Sequence, residues 1–193
     1  MKNICVYCGS SPGITTDYAI AARQLAAELV RQDLGLVYGG GNVGLMGVIA
    51  DEVMLLGGRV TGVIPKALMD KEVGHTGLSS LHVVANMHER KAMMADLSDA
   101  FIAMPGGIGT LEELFEVLTW SQLGFHEKPV GLYNINDFYR KLHDFLLHTV
   151  EQGFLRPGHL DLLYTETDPA QLLQKFANYR PVHVKKWLEV KDL

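Results

Sequence analysis

One segment of the chain joins a glycine-rich loop to the start of an acidic helix. After an apolar run at residues 100–104, the sequence reads PGGIGT at residues 105–110 and then enters an amphipathic stretch containing Glu112 and Glu113. Glycines ahead of a helix let backbone N–H groups converge on one point, and the helix dipole adds partial positive charge there. The segment therefore predicts a phosphate-binding loop with a carboxylate about one helical turn away.

Glu113 has two interpretations. Thr110 and Glu113 are three residues apart, as in a capping box, where Thr110 would cap the helix and Glu113 would turn back to the amide of Thr110. A phosphate bound at the same helix end would instead take over those amides and leave the carboxylate facing the sugar of a ligand. Taken alone, the spacing favours the cap.

Two adjacent cations, Arg90 and Lys91, follow a predicted strand at residues 81–85 and open a helix. Such pairs are usually part of a solvated helix face. Because these two lie at the carboxyl end of a strand, beside the glycine loops, Arg90 could also hold phosphate or ribose oxygens in its planar fork. The residues alone leave both interpretations open.

Two more glycine-rich loops follow strands. Residues 8–13 (CGSSPG) match the nucleophile elbow of serine hydrolases by letters, but only eight residues precede Gly9, too few for the strands and the oxyanion loop of such an enzyme. We therefore reject a serine hydrolase and keep Ser10 as a candidate ligand of a ribose.

Residues 39–47 contain Gly39-x-Gly41-x-x-Gly44, the dinucleotide fingerprint, without the expected acid at the end of the next strand. Gly41 is thus expected to approach a nucleotide smaller than NAD.

Short apolar runs alternate with longer amphipathic stretches, which predicts an α/β fold with a Rossmann-like, doubly wound parallel sheet of about seven strands in three layers. We expect a single domain over residues 1–180 and a C-terminal tail over 181–193. The predicted strands lie near residues 3–8, 34–38, 59–64, 81–85, 99–104, 129–133 and 161–164. The predicted helices lie near residues 17–32, 44–57, 87–97, 110–123, 136–151 and 169–178.

Composition narrows the function classes. The chain has 193 residues, 48% of them apolar, and a net charge of −5, which argues against nucleic acid as a partner. No apolar run approaches the roughly 20 residues that a membrane span needs, so we expect a cytoplasmic protein without membrane contact. Cys5 and Cys8 fall within one strand on opposite faces and are expected to be buried thiols. The eight histidines show no paired ligand spacing, so no metal site is expected.

The combination of Met87-x-x-Arg90-Lys91 with residues 105–113 (PGGIGTLEE) resembles the Lonely Guy family of cytokinin riboside 5′-monophosphate phosphoribohydrolases, whose members are often labelled lysine decarboxylases. The similarity extends from residues 8–11 to residues 128–131. It implies release of a free base and ribose 5-phosphate, no cofactor, and a homodimer with sites near the subunit interface. It also implies catalysis by Arg90 and Glu113. The substrate contacts expected from the motifs and the resemblance together are Ser10, Gly41, Glu72, Met87, Arg90, Lys91, Gly107, Ile108, Gly109, Thr110, Leu111, Glu112, Glu113 and Thr119.

The expected activity is therefore hydrolysis of the N-glycosidic bond of AMP, of cytokinin riboside 5′-monophosphates, or of both. Two alternatives remain at this point: a purine nucleotide-binding or sensing protein without hydrolysis, and a plain AMP nucleosidase without preference for an N6 substituent. The decarboxylase label disagrees with the chemistry, because no lysine here marks a Schiff-base site for pyridoxal phosphate.

Overall fold

The chain folds around one fully parallel sheet, seen in a computed structural model that describes residues 1–72, 74–75 and 77–181. The side chains of residues 70–72 and the predicted tail from residue 182 onward lie outside the described residues. The strands are β1 (Asn3–Tyr7), β2 (Gly35–Tyr38), β3 (Val60–Pro65), β4 (Ser80–Val84), β5 (Ala100–Ala103), β6 (Val130–Tyr133) and β7 (Leu163–Glu166).

The strands stand in the order β4-β3-β2-β1-β5-β6-β7, and each neighbouring pair is parallel. Strands β2, β3 and β4 are added outward on one side of β1, and β5, β6 and β7 on the other. Strand order therefore reverses between β1 and β5. In open α/β sheets a ligand binds at that reversal, beyond the carboxyl ends of the strands.

Helices cover both faces of the sheet, which confirms the predicted three-layer α/β class. They are α1 (Asp17–Arg31), α2 (Gly44–Leu55), α3 (Lys66–Glu72), α4 (Met87–Asp96), α5 (Ile108–Gln122), α6 (Arg140–Glu151), α7 (Pro157–Leu160) and α8 (Pro169–Ala177). Helices α1, α2 and α8 pack on one face through an apolar cluster that includes Leu25, Ile49 and Leu173. Helices α4 and α5 pack on the other face through Met94, Leu114 and Val117.

The two cysteines confirm the alternation expected along a strand. Cys5 belongs to the apolar cluster under α4 and α5, whereas Cys8 belongs to the cluster under α1 and α2. Both are buried free thiols, and burial raises the pKa of Cys5 to about 12. No helix among the described residues is long and apolar enough to cross a membrane.

Several elements differ from the sequence prediction. Helix α6 was expected from residue 136, but Asn136 and Asp137 have φ values of +51° and +58°, which no right-handed helix contains, so an irregular turn at Ile135–Asp137 precedes it. Strand β7 begins at Leu163, later than predicted, because the turn that ends α7 takes up the residues before it. Helices α3 and α7 were not predicted at all, since two turns or fewer show no clear hydrophobic periodicity.

Candidate active site

A pocket of about 250 Å³ opens at the reversal of strand order, where the loops after β1 and β5 meet α2 and α4. Its floor is held by backbone bonds: Gly9 N–H donates to the Pro105 carbonyl at 3.1 Å, and Leu45 N–H donates to the Gly9 carbonyl at 3.0 Å. The lining residues are Cys8, Gly9, Ser10, Met46, Arg90, Gly107, Ile108, Gly109, Thr110 and Glu113. Residues from all four predicted segments, 8–13, 39–47, 87–91 and 105–113, therefore line one cavity.

Two glycines allow the loops to pack this closely. Gly44 has a φ of +58°, and a Cβ there would lie 2.2 Å from the carbonyl carbon of Ser10. At Gly106, a Cβ would lie 2.2 Å from the hydroxyl oxygen of Thr110. Both glycines are needed for the fold itself, and neither is evidence for a ligand.

Gly107 and Gly109 differ from these two. Neither has a positive φ, and a Cβ at either position would meet nothing within 4 Å. The fold does not require glycine at these two positions, which border the open space of the pocket. Close approach of another molecule to the backbone is a physical reason for glycine at both positions, and at Gly107 the preference for glycine at a helix N-cap is a second one.

Helix α5 begins two residues earlier than predicted, and this rules out the capping box. Its N-cap is Gly107, with no side-chain cap, and Thr110 lies buried inside the first turn. The first intrahelical bond runs from Leu111 N–H to the Gly107 carbonyl at 3.1 Å. The amides of residues 108–110 therefore point out of the helix end toward the pocket, where the helix dipole favours an anion.

Arg90 is fixed by two backbone carbonyls. Its Nε donates to the carbonyl of Val63 and its Nη2 to the carbonyl of Gly39, both at 3.1 Å. A Cβ at Gly39 would lie 1.9 Å from Nη2, so only glycine at that position leaves room for the guanidinium. The side chain is buried, which leaves Nη1 as the nitrogen directed at the pocket, 3.8 Å from Oε1 of Glu113.

Glu113 is the buried carboxylate of the site. It does not turn back to cap its own helix, and only 12% of its side chain is exposed. Burial raises its pKa from an ordinary 4.5 to about 7, against the opposing effect of the Arg90 guanidinium. The separation of 3.8 Å is longer than a hydrogen bond, so the two charges attract each other without a direct bond.

Lys91 is directed away from the pocket. Its Nζ donates to Oε1 of Glu112 at 2.5 Å and to Oε1 of Glu116 at 3.0 Å. The side chain is buried between α4 and α5, so the alternative of a solvated pair of cations is wrong for both Arg90 and Lys91.

The structure brings only some of the remaining predicted contacts to this pocket. Ser10 and the exposed Ile108 line it. The Met87 sulfur lies 3.7 Å from Nη1 of Arg90, Gly41 forms a β-bridge with Gly74, and Leu111 packs on the apolar cluster under α5. Thr119 donates to the Phe115 carbonyl and borders a separate apolar cavity of about 100 Å³. The Glu72 side chain lies outside the described residues.

Sequence reasoning missed several residues of the site. Cys8, Gly9 and Met46 line the pocket, and the carbonyls of Gly39 and Val63 hold Arg90. Backbone carbonyls have no signature in a sequence, so Val63 was not predictable. The loop positions of Gly9 and Met46 were the only available signal. Within the described ranges, no group of three or more His, Cys, Asp or Glu residues could hold a metal ion.

Comparisons with known proteins find relatives over most of the chain. A family model described as possible lysine decarboxylase matches residues 46–176. The cytokinin riboside 5′-monophosphate phosphoribohydrolase LOG5 of Arabidopsis thaliana is 49% identical over 182 residues, which cover 94% of this chain and 80% of that protein. The probable enzyme of the same name, LOGL2, of Oryza sativa subsp. japonica is 48% identical over 95% of this chain and 75% of its own length.

Solved structures show the same fold at lower identity. The molybdenum cofactor carrier protein of Chlamydomonas reinhardtii superposes with a TM-score of 0.67 at 18% identity, covering 92% of this chain and 99% of that one. The molybdenum cofactor binding protein of Rippkaea orientalis gives a TM-score of 0.67 at 21% identity, covering 92% and 97%. At these identities the likeness establishes the architecture alone.

Proposed function

The chain belongs to the Lonely Guy family of cytokinin riboside 5′-monophosphate phosphoribohydrolases, and on that premise we propose that it hydrolyses the N-glycosidic bond of purine nucleoside 5′-monophosphates. The substrates are cytokinin riboside 5′-monophosphates, AMP, or both, and the products are the free base and ribose 5-phosphate. The observation that carries the proposal is the buried Glu113, held 3.8 Å from Arg90 in the pocket that the first turn of α5 borders.

The 5′-phosphate binds at the amino end of α5. Ser10 and the backbone of residues 107–110 line that side of the pocket, where outward-pointing amides and the helix dipole favour an anion. Glycine at positions 107 and 109 keeps the space in front of those amides open. The binding energy of the phosphate then holds the ribose against the side chain three residues farther along the helix.

Glu113 acts on the sugar. As the bond from C1′ to the base nitrogen breaks, positive charge develops on the ribose, and a fixed carboxylate nearby stabilises it. Water adds its oxygen to C1′ and Glu113 accepts the proton released by that water. The bond from C1′ to the base nitrogen breaks with its electron pair on the base, which takes up a proton from solvent, and loss of the Glu113 proton to solvent restores the carboxylate. A pKa of about 7 suits this step, because the carboxyl group can both exist as the base and accept a proton near neutral pH.

Arg90 keeps part of the Glu113 population ionised. Two of its nitrogens bind carbonyls, so the guanidinium cannot follow a moving ligand, and its charge lowers the pKa of Glu113 against the effect of burial. We assign Met87, whose sulfur touches the same guanidinium, and Gly41 to the open side of the pocket, where the base would lie.

The buried lysine of the site is unsuited to Schiff-base chemistry. A Schiff-base lysine reacts as the neutral amine. The ammonium group of Lys91 contacts the carboxylates of Glu112 and Glu116. Burial lowers the pKa of Lys91, but the two carboxylates raise it further, so the net shift is upward and the amine stays charged. This observation favours hydrolysis over the decarboxylation that the description of the family model mentions.

We further propose a cytoplasmic homodimer. Thr119 is six residues from Glu113 on α5, about 9 Å along the helix axis, and borders another cavity, and we propose that it contacts a substrate bound in a neighbouring subunit. Light scattering after size-exclusion chromatography measures the subunit number. Mixing inactive Thr119→Ala and Glu113→Gln subunits should restore part of the activity if Thr119 acts across the interface, and should restore none if it does not.

The experiment that tests the reaction is product analysis by liquid chromatography. Incubation with AMP and with its N6-isopentenyl derivative should release adenine-type base and ribose 5-phosphate in equal amounts. Glu113→Gln should release neither while still binding nucleotide, and Glu151→Gln, a surface change at the end of α6, should match the wild type. Binding without base release by the wild-type protein would mean a nucleotide-binding protein and would overturn the proposal.

A further inference from the structure

Two pairs of neighbouring residues join α4 to α5 through their side chains. Arg90 and Lys91 are consecutive on α4, and Glu112 and Glu113 are consecutive on α5. Arg90 faces Glu113 on the pocket side, whereas Lys91 faces Glu112 on the other side, with Glu116 one turn beyond on the same helix face. Consecutive residues on a helix point about 100° apart, so contacts made by the second pair limit how far the helices can rotate and help to hold Glu113 opposite Arg90, which two backbone carbonyls already fix.

The ion cluster of Lys91, Glu112 and Glu116 lies outside the pocket lining. An ammonium has three donors, and two of those of Lys91 are used at 2.5 and 3.0 Å. The Lys91 side chain is only 10% exposed and that of Glu116 is 24% exposed, whereas that of Glu112 is 50% exposed, so the pair of Lys91 with Glu116 is the better shielded of the two. A partly buried pair of this kind is screened less by solvent than a surface salt bridge, so it can hold two helices in register.

We propose that Lys91, Glu112 and Glu116 form a clamp between α4 and α5 that positions Arg90 against Glu113 and sets the charge of Glu113, without contacting the substrate. The family resemblance places Lys91 and Glu112 on the substrate, and the structure assigns them this positioning role instead. The catalytic part of the inference rests on the proposed hydrolysis, whereas the effect on Glu113 does not.

The charges of the cluster act on Glu113 in known directions. One ammonium and two carboxylates leave a net charge of −1, and the carboxylates of Glu112 and Glu116 raise the pKa of Glu113 while Lys91 lowers it. The other groups that face Glu113 are Arg90 from α4 and, from β1 and the residue after it, the thiols of Cys5 and Cys8 and the phenol of Tyr7. Burial raises the pKa of all three β1-side groups, which keeps them neutral near pH 7.

The test measures the ionisation of the Glu113 carboxyl group directly, independently of turnover. The ¹³C resonance of its carboxyl group, assigned by its loss in Glu113→Gln, is followed against pH in the full-length protein. Glu116→Gln should lower the pH of half-titration by roughly 0.3–1 unit, and Lys91→Met should raise it by a similar amount. Lys91→Arg should restore the wild-type midpoint, and Glu151→Gln, an equal charge change far from the site, should leave it unchanged.

Turnover of AMP supplies the second measurement. The clamp predicts that Lys91→Met lowers kcat roughly tenfold or more with KM changed less than about threefold, and that Lys91→Arg recovers most of the rate. A large rise in KM with kcat retained would place Lys91 on the substrate and overturn the proposal. Unchanged titration of Glu113 in both Glu116→Gln and Lys91→Met would overturn it even if the protein hydrolyses nothing. Absence of base release by the wild type, with the shifts present, would refute only the proposed reaction.

Discussion

Glu113 should make the protein less stable at the pH where it works. In the unfolded chain this carboxyl group ionises near pH 4.5, and in the folded protein near pH 7. Between these values the folded state binds more protons than the unfolded state, so stability is fully present below pH 4.5 and falls as the pH rises toward 7. Each pKa unit is worth about 1.36 kcal/mol, so the loss is about 3 kcal/mol at pH 8.

Replacing Glu113 with Gln removes the charge and keeps the shape. Glu113→Gln should exceed the wild type by about 3 kcal/mol in free energy of unfolding at pH 8 and by less than about 1 kcal/mol at pH 5. For a chain of this length the advantage at pH 8 corresponds to a Tm higher by about 6–12 °C. Urea titrations at both pH values, with Glu151→Gln as control, measure it. A variant that is less stable than the wild type at pH 8, or a difference independent of pH, would refute the buried, raised-pKa carboxyl group.

The other predictions concern turnover and the glycines. The ionised form of Glu113 is the active one, so kcat for AMP should rise about tenfold per pH unit below pH 7 and level off above pH 7. A kcat that falls as the pH rises toward 7 would contradict the role of Glu113 as the base. Gly109→Ala should raise KM about tenfold, because the added methyl group would lie where the phosphate binds. Its Tm should stay equal or rise slightly, because alanine favours a helix and its Cβ meets nothing within 4 Å. Unchanged kinetics would show that the phosphate does not bind at this helix end. Gly106→Ala, whose Cβ meets Thr110, should lower Tm instead. Gly39→Ala should lower kcat/KM about 100-fold by displacing Arg90, and wild-type rates there would show that the guanidinium position is unimportant.

The positions of the strands can be predicted from the sequence, because buried parallel strands give short, continuous apolar runs. All seven strands appear close to their predicted positions, and the loops that follow β1, β2 and β5 come together as expected from parallel strands. The glycines and acidic side chains of residues 105–113 therefore indicate the correct edge of the sheet from the sequence alone.

The sequence does not predict whether Glu113 caps its own helix or presents its carboxylate to the pocket. A spacing of three residues fits a capping box, but helix α5 starts at Ile108, so Thr110 cannot be the N-cap. That start is set by the tertiary packing of the loop after β5, where Gly9 N–H donates to the Pro105 carbonyl and residue 107 becomes the N-cap. Similarly, the sequence does not predict which of the two cations faces the pocket. The packing of α4 beside α5 directs Arg90 toward Glu113 and Lys91 toward Glu112.

The most direct measurement is a crystal structure of the Glu113→Gln variant with AMP bound, since that variant should hold the substrate without cleaving it. The phosphate should accept hydrogen bonds from the amides of residues 108–110, and C1′ should lie within about 4 Å of the side chain at position 113. A phosphate bound elsewhere on the sheet edge, or a ribose turned away from position 113, would contradict the account.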